Sequence, residues 1–168
     1  MRIYLIGFMG AGKSYWGPRL AQEAGLRFYD LDREIEDSQE STIDQLFDQK
    51  GEESFRAIER EMLHLLTESH SDFVMSCGGG TPCFLNNIEY MKRSGKVVWI
   101  NPAIEVLAGR LWSERDQRPL LRSVSQSELE GFIQKKMADR RLYYEQADVR
   151  VDEETIDVTS LLKSIAHA

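Results

Sequence analysis

A glycine-rich segment near the start of the chain has the residue types and the spacing of a phosphate-binding loop. An apolar run, Arg2 to Ile6, leads directly into Gly7-Phe8-Met9-Gly10-Ala11-Gly12-Lys13-Ser14, which fits the pattern G-x-x-x-x-G-K-S. The glycines allow successive backbone N–H groups to point at one phosphate chain, and the helix predicted to follow adds the positive end of its dipole. This chemistry assigns Lys13 to the terminal phosphates and Ser14 to Mg²⁺.

Two carboxylates follow the second predicted strand, in Tyr29-Asp30-Leu31-Asp32. A spacing of two residues can place both on one side of an extended backbone, beside the phosphate loop. In phosphoryl transfer one carboxylate is useful near Mg²⁺ and its waters, and another near the attacking hydroxyl, as base or as orienter. The alternative is that Asp32 caps a helix whose first core residue is Ile35, and that Asp30 is an ordinary acidic residue at a strand end.

Two arginines further along the chain are candidates for binding an anion. Arg56 lies near the start of a long predicted helix, where Glu59 and Arg60 follow within one turn. Surface ion pairs of small value are the alternative there. Arg140 lies near the end of a basic helix, where the helix dipole favours a cation whether or not a ligand is present.

Two irregular segments also have functional interpretations. Gly78-Gly79-Gly80 follows an apolar strand, where consecutive glycines usually mean that the backbone approaches something closely; a flexible turn is the alternative. Arg118 lies in a charged, proline-containing stretch between two helices, residues 112–124, which we predict to be a lid. An arginine there can move over developing phosphoryl charge, and an exposed loop arginine without function is the alternative.

These residues need a scaffold that brings them together, and the hydrophobic pattern predicts one. Short apolar strands alternate with amphipathic helices, which predicts an α/β fold with a parallel sheet, helices on both faces and ligands at the carboxyl ends of the strands. The predicted strands are Arg2 to Ile6, Arg27 to Tyr29, Phe73 to Ser76, Lys96 to Ile100 and Val149 to Val151. The predicted helices are Lys13 to Ala24, Ile43 to Gln49, Glu52 to Glu68, Leu85 to Arg93, Ala103 to Leu111, Gln126 to Tyr144 and Val158 to Ile165.

The length of the chain, 168 residues, fits one domain, residues 1–168. Within it, the mostly helical segment 33–68 between the second and third strands is longer than a simple crossover requires. We therefore predict that this segment is a small substrate-binding subdomain.

Composition limits the classes of function. The net charge of −7 at pH 7 argues against nucleic acid as a partner, because a nucleic-acid binder needs clustered basic surface. No apolar stretch approaches the length of a membrane span, and the phosphate loop interrupts the N-terminal apolar run. Cys77 and Cys83 lack a second pair and are interpreted as reduced residues. We therefore expect a cytoplasmic protein with neither a membrane nor a nucleic-acid partner.

In order and spacing, these motifs resemble the motif series of the shikimate kinase family over nearly the whole chain. The resemblance implies a three-layer P-loop kinase fold like that of nucleoside monophosphate kinases, with a five-stranded parallel sheet in the order 2-3-1-4-5. It also implies ATP-dependent phosphorylation of the 3-hydroxyl of shikimate, a step of the chorismate route to aromatic amino acids. The matching segments are Gly7 to Ser14, Asp30-Leu31-Asp32, Phe55-Arg56, Gly78-Gly79-Gly80, Arg118-Pro119-Leu120-Leu121 and Arg140 followed by Tyr143.

The resemblance implies roles at the acceptor. Arg56 and Arg140 bind the shikimate carboxylate, which a planar guanidinium does well because it donates two parallel hydrogen bonds. Asp32 holds the attacking hydroxyl. The backbone groups that face the ring hydroxyls are those of Gly78, Gly79 and Gly80.

The resemblance also implies roles at the nucleotide. Lys13 and Arg118 neutralise the transferred phosphoryl group, and Ser14 binds Mg²⁺ while Asp30 acts on it through water. The residues that contact ATP are Gly10, Ala11, Gly12, Lys13, Ser14, Tyr15, Arg110 and Arg118.

Three positions depart from the family pattern or have an open register. Tyr15 replaces the usual threonine after the loop serine, which removes a hydroxyl near the α-phosphate but keeps the backbone N–H. Leu142 precedes Tyr143 where the family often has proline-leucine-tyrosine, so Arg141 is an alternative to Arg140. Arg110 lies near the position where a family arginine packs on the adenine, within a register that could shift by one residue.

Other functions remain as alternatives. A further small-metabolite kinase of the same fold, such as a gluconate kinase, would also need arginines and a lid, but Arg56, the triple glycine and Arg140 together favour shikimate. A regulatory GTP-binding module is disfavoured because the chain has no Asn-Lys-x-Asp guanine signature. A non-catalytic binding module is disfavoured by the presence of Lys13, Ser14, Asp32 and Arg118. We expect a monomer, since no long apolar helix face is left unexplained.

Overall fold

The computed structural model describes residues 1–118, 121–152 and 157–168. In this part of the chain the strands are β1 (Arg2–Ile6), β2 (Phe28–Asp30), β3 (Phe73–Ser76), β4 (Lys96–Ile100) and β5 (Val149–Val151). They form one sheet in the order β2-β3-β1-β4-β5, with every neighbouring pair parallel. The predicted α/β class and strand order are confirmed, and β2 lies one residue later than the predicted strand.

The helices of the described chain follow the predicted alternation with the strands. Between β3 and β4 the helix begins later than predicted, because Leu85 and Asn86 have left-handed φ values of 50° and 58°. A short 3₁₀ turn, Thr81–Cys83, precedes that helix, and a second one lies at Arg115–Gln117. The helices are α1 (Lys13–Ala24), α2 (Leu31–Gln39), α3 (Ile43–Ser69), α4 (Asn87–Ser94), α5 (Ile104–Glu114), α6 (Gln126–Tyr144) and α7 (Val158–His167).

The segment between β2 and β3 is helical, as predicted, but its helices have different bounds. α2 begins at Leu31, directly after β2 and two residues before the segment predicted to be mostly helical. The two helices predicted for the next segment are joined in α3, which has one non-helical residue, Gly51, at φ 79° and ψ 170°. Glycine adopts such angles without steric cost, so Gly51 marks the kink between the two predicted helices.

The position of β1 determines where the functional residues meet. β1 lies in the middle of the sheet, and its residues from Ile3 to Ile6 are completely buried. Leu5 is paired with Ser76 of β3, and Ile6 with Trp99 of β4, so the carboxyl ends of these three strands lie at one edge. The phosphate loop and the triple glycine leave the sheet at this edge, where α/β sheets bind their ligands.

Two further features bear on the classes of function considered above. Among the described helices none is both long enough and apolar enough to cross a bilayer.

Cys77 is buried and Cys83 partly buried, and neither is in a disulfide. Burial raises the pKa of both thiols, so they stay protonated and weakly nucleophilic at neutral pH.

Candidate active site

A cleft of about 630 Å³ opens at the carboxyl edge of the sheet. Its floor is the segment from Met9 to Trp16, which contains most of the phosphate loop and the first turn of α1. The fold brings predicted site residues from four separate parts of the chain to this one cleft: Asp30 and Asp32, Gly78 and Gly79, Arg110, and Arg118.

The phosphate loop is held in shape by its glycines and by Lys13. Gly10 and Gly12 have φ values of 76° and 102°, and a Cβ on Gly7 would lie 2.5 Å from the carbonyl oxygen of Ile100. The Lys13 ammonium donates to the carbonyl oxygens of Gly7 and Phe8, at 2.6 and 2.8 Å. Burial lowers the pKa of Lys13 to about 8, while the charge of Asp32 acts in the opposite direction. Lys13 is therefore still mostly cationic at neutral pH.

The two carboxylates after β2 have different environments. Asp30 is the N-cap of α2, and its Oδ1 accepts a hydrogen bond from the Arg33 N–H at 3.3 Å. The alternative in which Asp32 is the cap is therefore wrong, and Asp32 lies in the first turn of the helix. Burial, followed by the charges of Glu59 and Asp30, raises the pKa of Asp32 to about 6. Asp32 is thus a carboxylate at neutral pH that is basic enough to accept a proton.

Arg56 belongs to a buried network rather than to the protein surface. It is 9% exposed, and its Nη1 donates to Oε1 of Glu59 at 3.0 Å, with Glu59 1% exposed. The other carboxylate oxygen of Glu59 accepts a hydrogen bond from Thr81 Oγ1 at 2.8 Å. The alternative of a surface ion pair is therefore wrong for Arg56. Sequence reasoning missed the structural importance of Glu59 and Thr81, for which the only local signal was the i,i+3 spacing of Arg56 and Glu59.

Aromatic rings surround the Arg56 guanidinium. Its central carbon lies 4.1 Å from the ring centre of Phe84, 5.2 Å from that of Phe55 and 5.7 Å from that of Phe47. Such rings attract a cation and cover the faces of the guanidinium group. Hydrogen bonds can then form only in the plane of that group. Within the described chain, Nε of Arg56 is buried and has no hydrogen-bond partner. Arg56 is thus fixed in orientation, and its Nε–H is among the donors that remain for a ligand.

The side chains of two arginines lie close to the backbone of the triple glycine. A Cβ on Gly79 would lie 2.9 Å from Nη1 of Arg140, and one on Gly80 would lie 2.5 Å from Nη2 of Arg56. The hydroxyl of Tyr144 donates to the carbonyl oxygen of Gly79 at 2.6 Å and holds the turn to α6. The close approach predicted for these glycines is therefore present, since side chains at these positions would displace both guanidinium groups.

α6 also decides between the two candidate arginines near its end. Arg140 lies beside Gly79, with its guanidinium carbon 5.5 Å from the ring centre of Phe8. Arg141 instead donates to Glu145 at 2.6 Å, and its side chain is 55% exposed. The arginine that faces the glycine turn is therefore Arg140.

The remaining cations of the cleft contact oxygens of the protein itself. Nη1 of Arg110 donates to the carbonyl oxygens of Gly10 and Ala11, at 3.1 and 3.3 Å. Nε and Nη2 of Arg118 donate to one carboxylate oxygen of Glu114, at 3.0 and 2.7 Å. Pro119 and Leu120, the next residues of the predicted lid motif, lie outside the described residues. Sequence reasoning did not identify Glu114, although it lies four residues before Arg118.

This arrangement has the parts that phosphoryl transfer to a small acid requires. Asp32 lines the same cleft as the phosphate loop and its cations, and it lies beside the glycine turn, because a Cβ on Gly78 would be 3.0 Å from Asp32 Oδ1. A phosphate chain on the loop and a carboxylate at Arg56 and Arg140 would leave a hydroxyl of the same acid near Asp32. Positioning and charge stabilisation of this kind are the main contributions of a protein to phosphoryl transfer.

Comparison with known sequences identifies relatives with one activity. The family model described as shikimate kinase matches residues 9–167. The shikimate kinase of Parabacteroides distasonis is 41% identical over 167 residues, which cover 99% of this chain and 96% of that protein. The shikimate kinase of Phocaeicola vulgatus is 46% identical over 146 residues, which cover 87% of this chain and 83% of that protein.

Comparison with solved structures agrees. The crystal structure of the Bacteroides thetaiotaomicron shikimate kinase superposes with a TM-score of 0.87 at 38% identity, covering 99% of this chain and 95% of that one. The Acinetobacter baumannii shikimate kinase in complex with shikimate gives a TM-score of 0.84 at 32% identity, covering 99% of this chain and 90% of that one. Sequence motifs, sheet order and relatives therefore agree, and the chain belongs to the shikimate kinase family.

Proposed function

We propose roles for the residues of the candidate active site in the phosphorylation of shikimate by ATP, the reaction of the family to which this chain belongs. The 3-hydroxyl of shikimate is the acceptor, and the products are shikimate 3-phosphate and ADP, within the chorismate route to aromatic amino acids. The observation that carries the assignment is the convergence of Arg56 and Arg140 on the glycine turn, beside Asp32.

The acceptor carboxylate binds between Arg56 and Arg140. Two guanidinium groups that approach the same turn offer several donors to one carboxylate, and the orphan Nε of Arg56 is among them. Backbone groups of Gly78, Gly79 and Gly80 bind the ring hydroxyls, because no side chain blocks their approach.

Phosphoryl transfer takes place beside Asp32 and Lys13. The 3-hydroxyl oxygen forms a bond to the γ-phosphorus as the bond from that phosphorus to the β,γ-bridging oxygen breaks, and ADP leaves. Asp32 accepts the hydrogen bond of the attacking hydroxyl and takes its proton, which suits a carboxylate with a pKa raised to about 6. Lys13 and Arg118 exchange their present protein oxygens for those of the transferred group and stabilise its charge.

Nucleotide binding uses the phosphate loop and the residues around it. Backbone N–H groups from Gly10 to Tyr15 bind the phosphates, and Arg110 lies next to the loop where the nucleoside leaves it.

The donor set fits a magnesium ion. Ser14 and Asp30 bring a hydroxyl and a carboxylate oxygen to the cleft, and Mg²⁺ prefers oxygen ligands, of which phosphates and waters supply the majority in kinases. We assign Ser14 to direct ligation and Asp30 to contact through water. When bound, Mg²⁺ would neutralise the charge of the phosphate oxygens.

We further propose a substrate-binding subdomain in segment 33–68, which carries Arg56 and Glu59, and a lid in segment 112–124, which carries Arg118. Closure of the lid excludes water, so ATP hydrolysis without an acceptor should be slow. Hydrogen exchange of segment 112–124 should slow when an ATP analogue and shikimate bind, and unchanged protection would contradict a lid.

We also propose that the protein works as a cytoplasmic monomer. The large apolar side chains that are exposed among the described residues lie on separate elements, namely Met1, Tyr15, Leu65, Leu85 and Leu142. Sedimentation at micromolar concentration tests the monomer directly, and a dimer would contradict it.

A coupled assay of ADP release with shikimate, quinate and gluconate, with and without EDTA, tests the reaction and its metal requirement. Arg56→Ala and Arg140→Ala test the site: each should lower kcat/KM for shikimate by roughly ten- to a hundredfold and leave the KM for ATP nearly unchanged, since each charge-assisted contact contributes about 1.5–3 kcal/mol. Arg60→Ala and Arg141→Ala, at exposed positions next along the same helices, are matched controls. Equal small changes in both KM values would contradict this carboxylate site.

A further inference from the structure

Trp16 lies in a corner of the nucleotide cleft that none of the assignments above uses. It belongs to the first turn of α1 and lines the cleft together with the phosphate loop. Helix side chains lean toward the N-terminus, so the indole lies back over Gly12, four residues earlier. A Cβ on Gly12 would be 3.6 Å from Cδ1 and 3.9 Å from Nε1 of Trp16. The edge of the indole that carries the N–H group therefore faces the loop.

Arg110 meets Trp16 at the same corner. Its Nη1 would lie 3.6 Å from that same Cβ position on Gly12, and it donates to the carbonyl oxygen of Gly10. The indole edge and the guanidinium group thus flank the part of the loop whose backbone N–H groups bind the inner phosphates of a nucleotide, while the lysine binds the outer ones. In the described structure the Lys13 ammonium contacts a different part of the loop, the carbonyl oxygens of Gly7 and Phe8.

The indole N–H of Trp16 is free to bind a ligand, as far as the described residues show. No oxygen of the described residues accepts a hydrogen bond from Nε1 of Trp16, although the ring is partly buried and packs against Tyr15 with ring centres 5.5 Å apart. The Tyr15 ring is itself covered by the Arg19 guanidinium, at 3.6 Å, which keeps the aromatic pair on the outer face of α1. Nε1 is also not among the buried atoms that lack a partner, so it is accessible to a ligand in the cleft, and an indole N–H can act only as a donor.

We propose that the Trp16 indole N–H donates a hydrogen bond to an α-phosphate oxygen of the bound nucleotide, which makes Trp16 a nucleotide-binding residue of this chain. The proposal rests on the proposed function, because it requires the nucleotide to lie on the phosphate loop. A single donor at this corner discriminates nucleotides that have an α-phosphate from the free nucleoside. Contact with the nucleotide also makes Trp16 a reporter of its binding.

The test compares Trp16→Phe with the matched control Trp112→Phe, whose ring packs under Arg115 outside the residues that line the cleft. We expect Trp16→Phe to weaken ADP binding in calorimetry roughly tenfold, as for the loss of one hydrogen bond to a charged acceptor, and to leave the KM for shikimate unchanged. Emission is compared in the Trp112→Phe background, which lacks the tryptophan of the proposed lid: ADP should alter the emission of Trp112→Phe, and adding Trp16→Phe to it should abolish that change.

A second substitution separates the N–H group from the packing of the ring. Replacement of Trp16 by its benzothiophene analogue keeps the shape of the ring and removes the donor, so it should weaken ADP binding as much as Trp16→Phe does. ADP affinity within twofold of the wild type in both variants would overturn the proposal while the shikimate-dependent activity stood. Failure of the wild type and of Trp112→Phe to bind ADP would instead contradict the proposed function.

Discussion

The candidate site has two halves, the cleft over the phosphate loop and the adjoining acceptor region around Arg56 and Arg140, and they hold their charged side chains in different ways. In the acceptor half, Arg56 is bound to Glu59 and enclosed by aromatic rings, and Glu59 is bound in turn to Thr81. These partners lie behind the site, so they can stay in place when a ligand binds. The acceptor half is therefore organised before the substrate arrives, which reduces the ordering cost of binding.

In the nucleotide half, the cations donate hydrogen bonds to oxygens of the protein itself. Lys13 donates to two loop carbonyls, and Arg118 donates to the Glu114 carboxylate. In the proposed roles of Lys13 and Arg118, phosphate oxygens replace these protein oxygens when ATP binds. One half would then select its ligand with groups that are already fixed, while the other half would rearrange around its ligand.

The largest effect should come from removing the cation of the nucleotide half. Lys13→Met keeps the length of the side chain and removes the charge that stabilises the transferred group, so kcat should fall about 10³- to 10⁵-fold, as for other phosphoryl-binding cations. Because Lys13 is buried at an energetic cost in its charged form, the free energy of unfolding should not fall. Single-turnover kinetics and thermal unfolding measure the two quantities. Near-native turnover would refute the role of Lys13.

Breaking the buried network of Arg56, Glu59 and Thr81 should both destabilise the fold and raise the KM for the acceptor. Removing one partner of a buried ion pair leaves an uncompensated charge, so Glu59→Gln should cost about 3 kcal/mol of unfolding free energy and should raise the KM for shikimate but not that for ATP. Glu52→Gln is the matched control, because Glu52 also pairs with Arg56, at 3.4 Å, but is 57% exposed. Urea unfolding should separate the two variants, and equal losses would contradict the idea of a buried network.

Asp32 and Lys13 together should give kcat/KM a bell-shaped dependence on pH. Asp32 must be ionised to take the proton, and Lys13 must be protonated to bind phosphate. With pKa values of about 6 and about 8, kcat/KM should rise with pH through the first and fall through the second, about tenfold per pH unit outside them. Removing the neighbouring negative charge in Glu59→Gln should move the acidic limb to lower pH. An acidic limb unmoved in that variant would exclude Asp32 as its source.

The smallest effect should come from the contact that holds Arg118. Its side chain is 35% exposed and that of Glu114 is 45% exposed, so the pair is worth less than about 1 kcal/mol. Glu114→Gln should therefore lower the KM for ATP up to about fivefold, by freeing Arg118 for the phosphates. Steady-state kinetics at low and high salt measure this, with a smaller difference at high salt. A higher KM for ATP would show that Glu114 assists the bound state instead.

Local patterns in the sequence were sufficient to predict the parallel sheet and the phosphate loop of the nucleotide half. The family and its reaction, predicted from the motif series, are confirmed by the relatives, and so is the sheet order. A phosphate loop works through its own backbone, and a buried parallel strand is apolar along its whole length, so both leave a continuous signature in the chain. The roles of individual site residues stay predictions.

The acceptor half was decided by the tertiary structure. Local sequence favoured a surface ion pair for Arg56, and that interpretation was wrong because Arg56 is buried. Phe84, whose ring covers the Arg56 guanidinium, and Thr81, which donates to the Glu59 carboxylate paired with Arg56, come from a segment that follows β3. The energy of an ion pair depends on whether water surrounds it, and that is set by segments distant in sequence that pack over it.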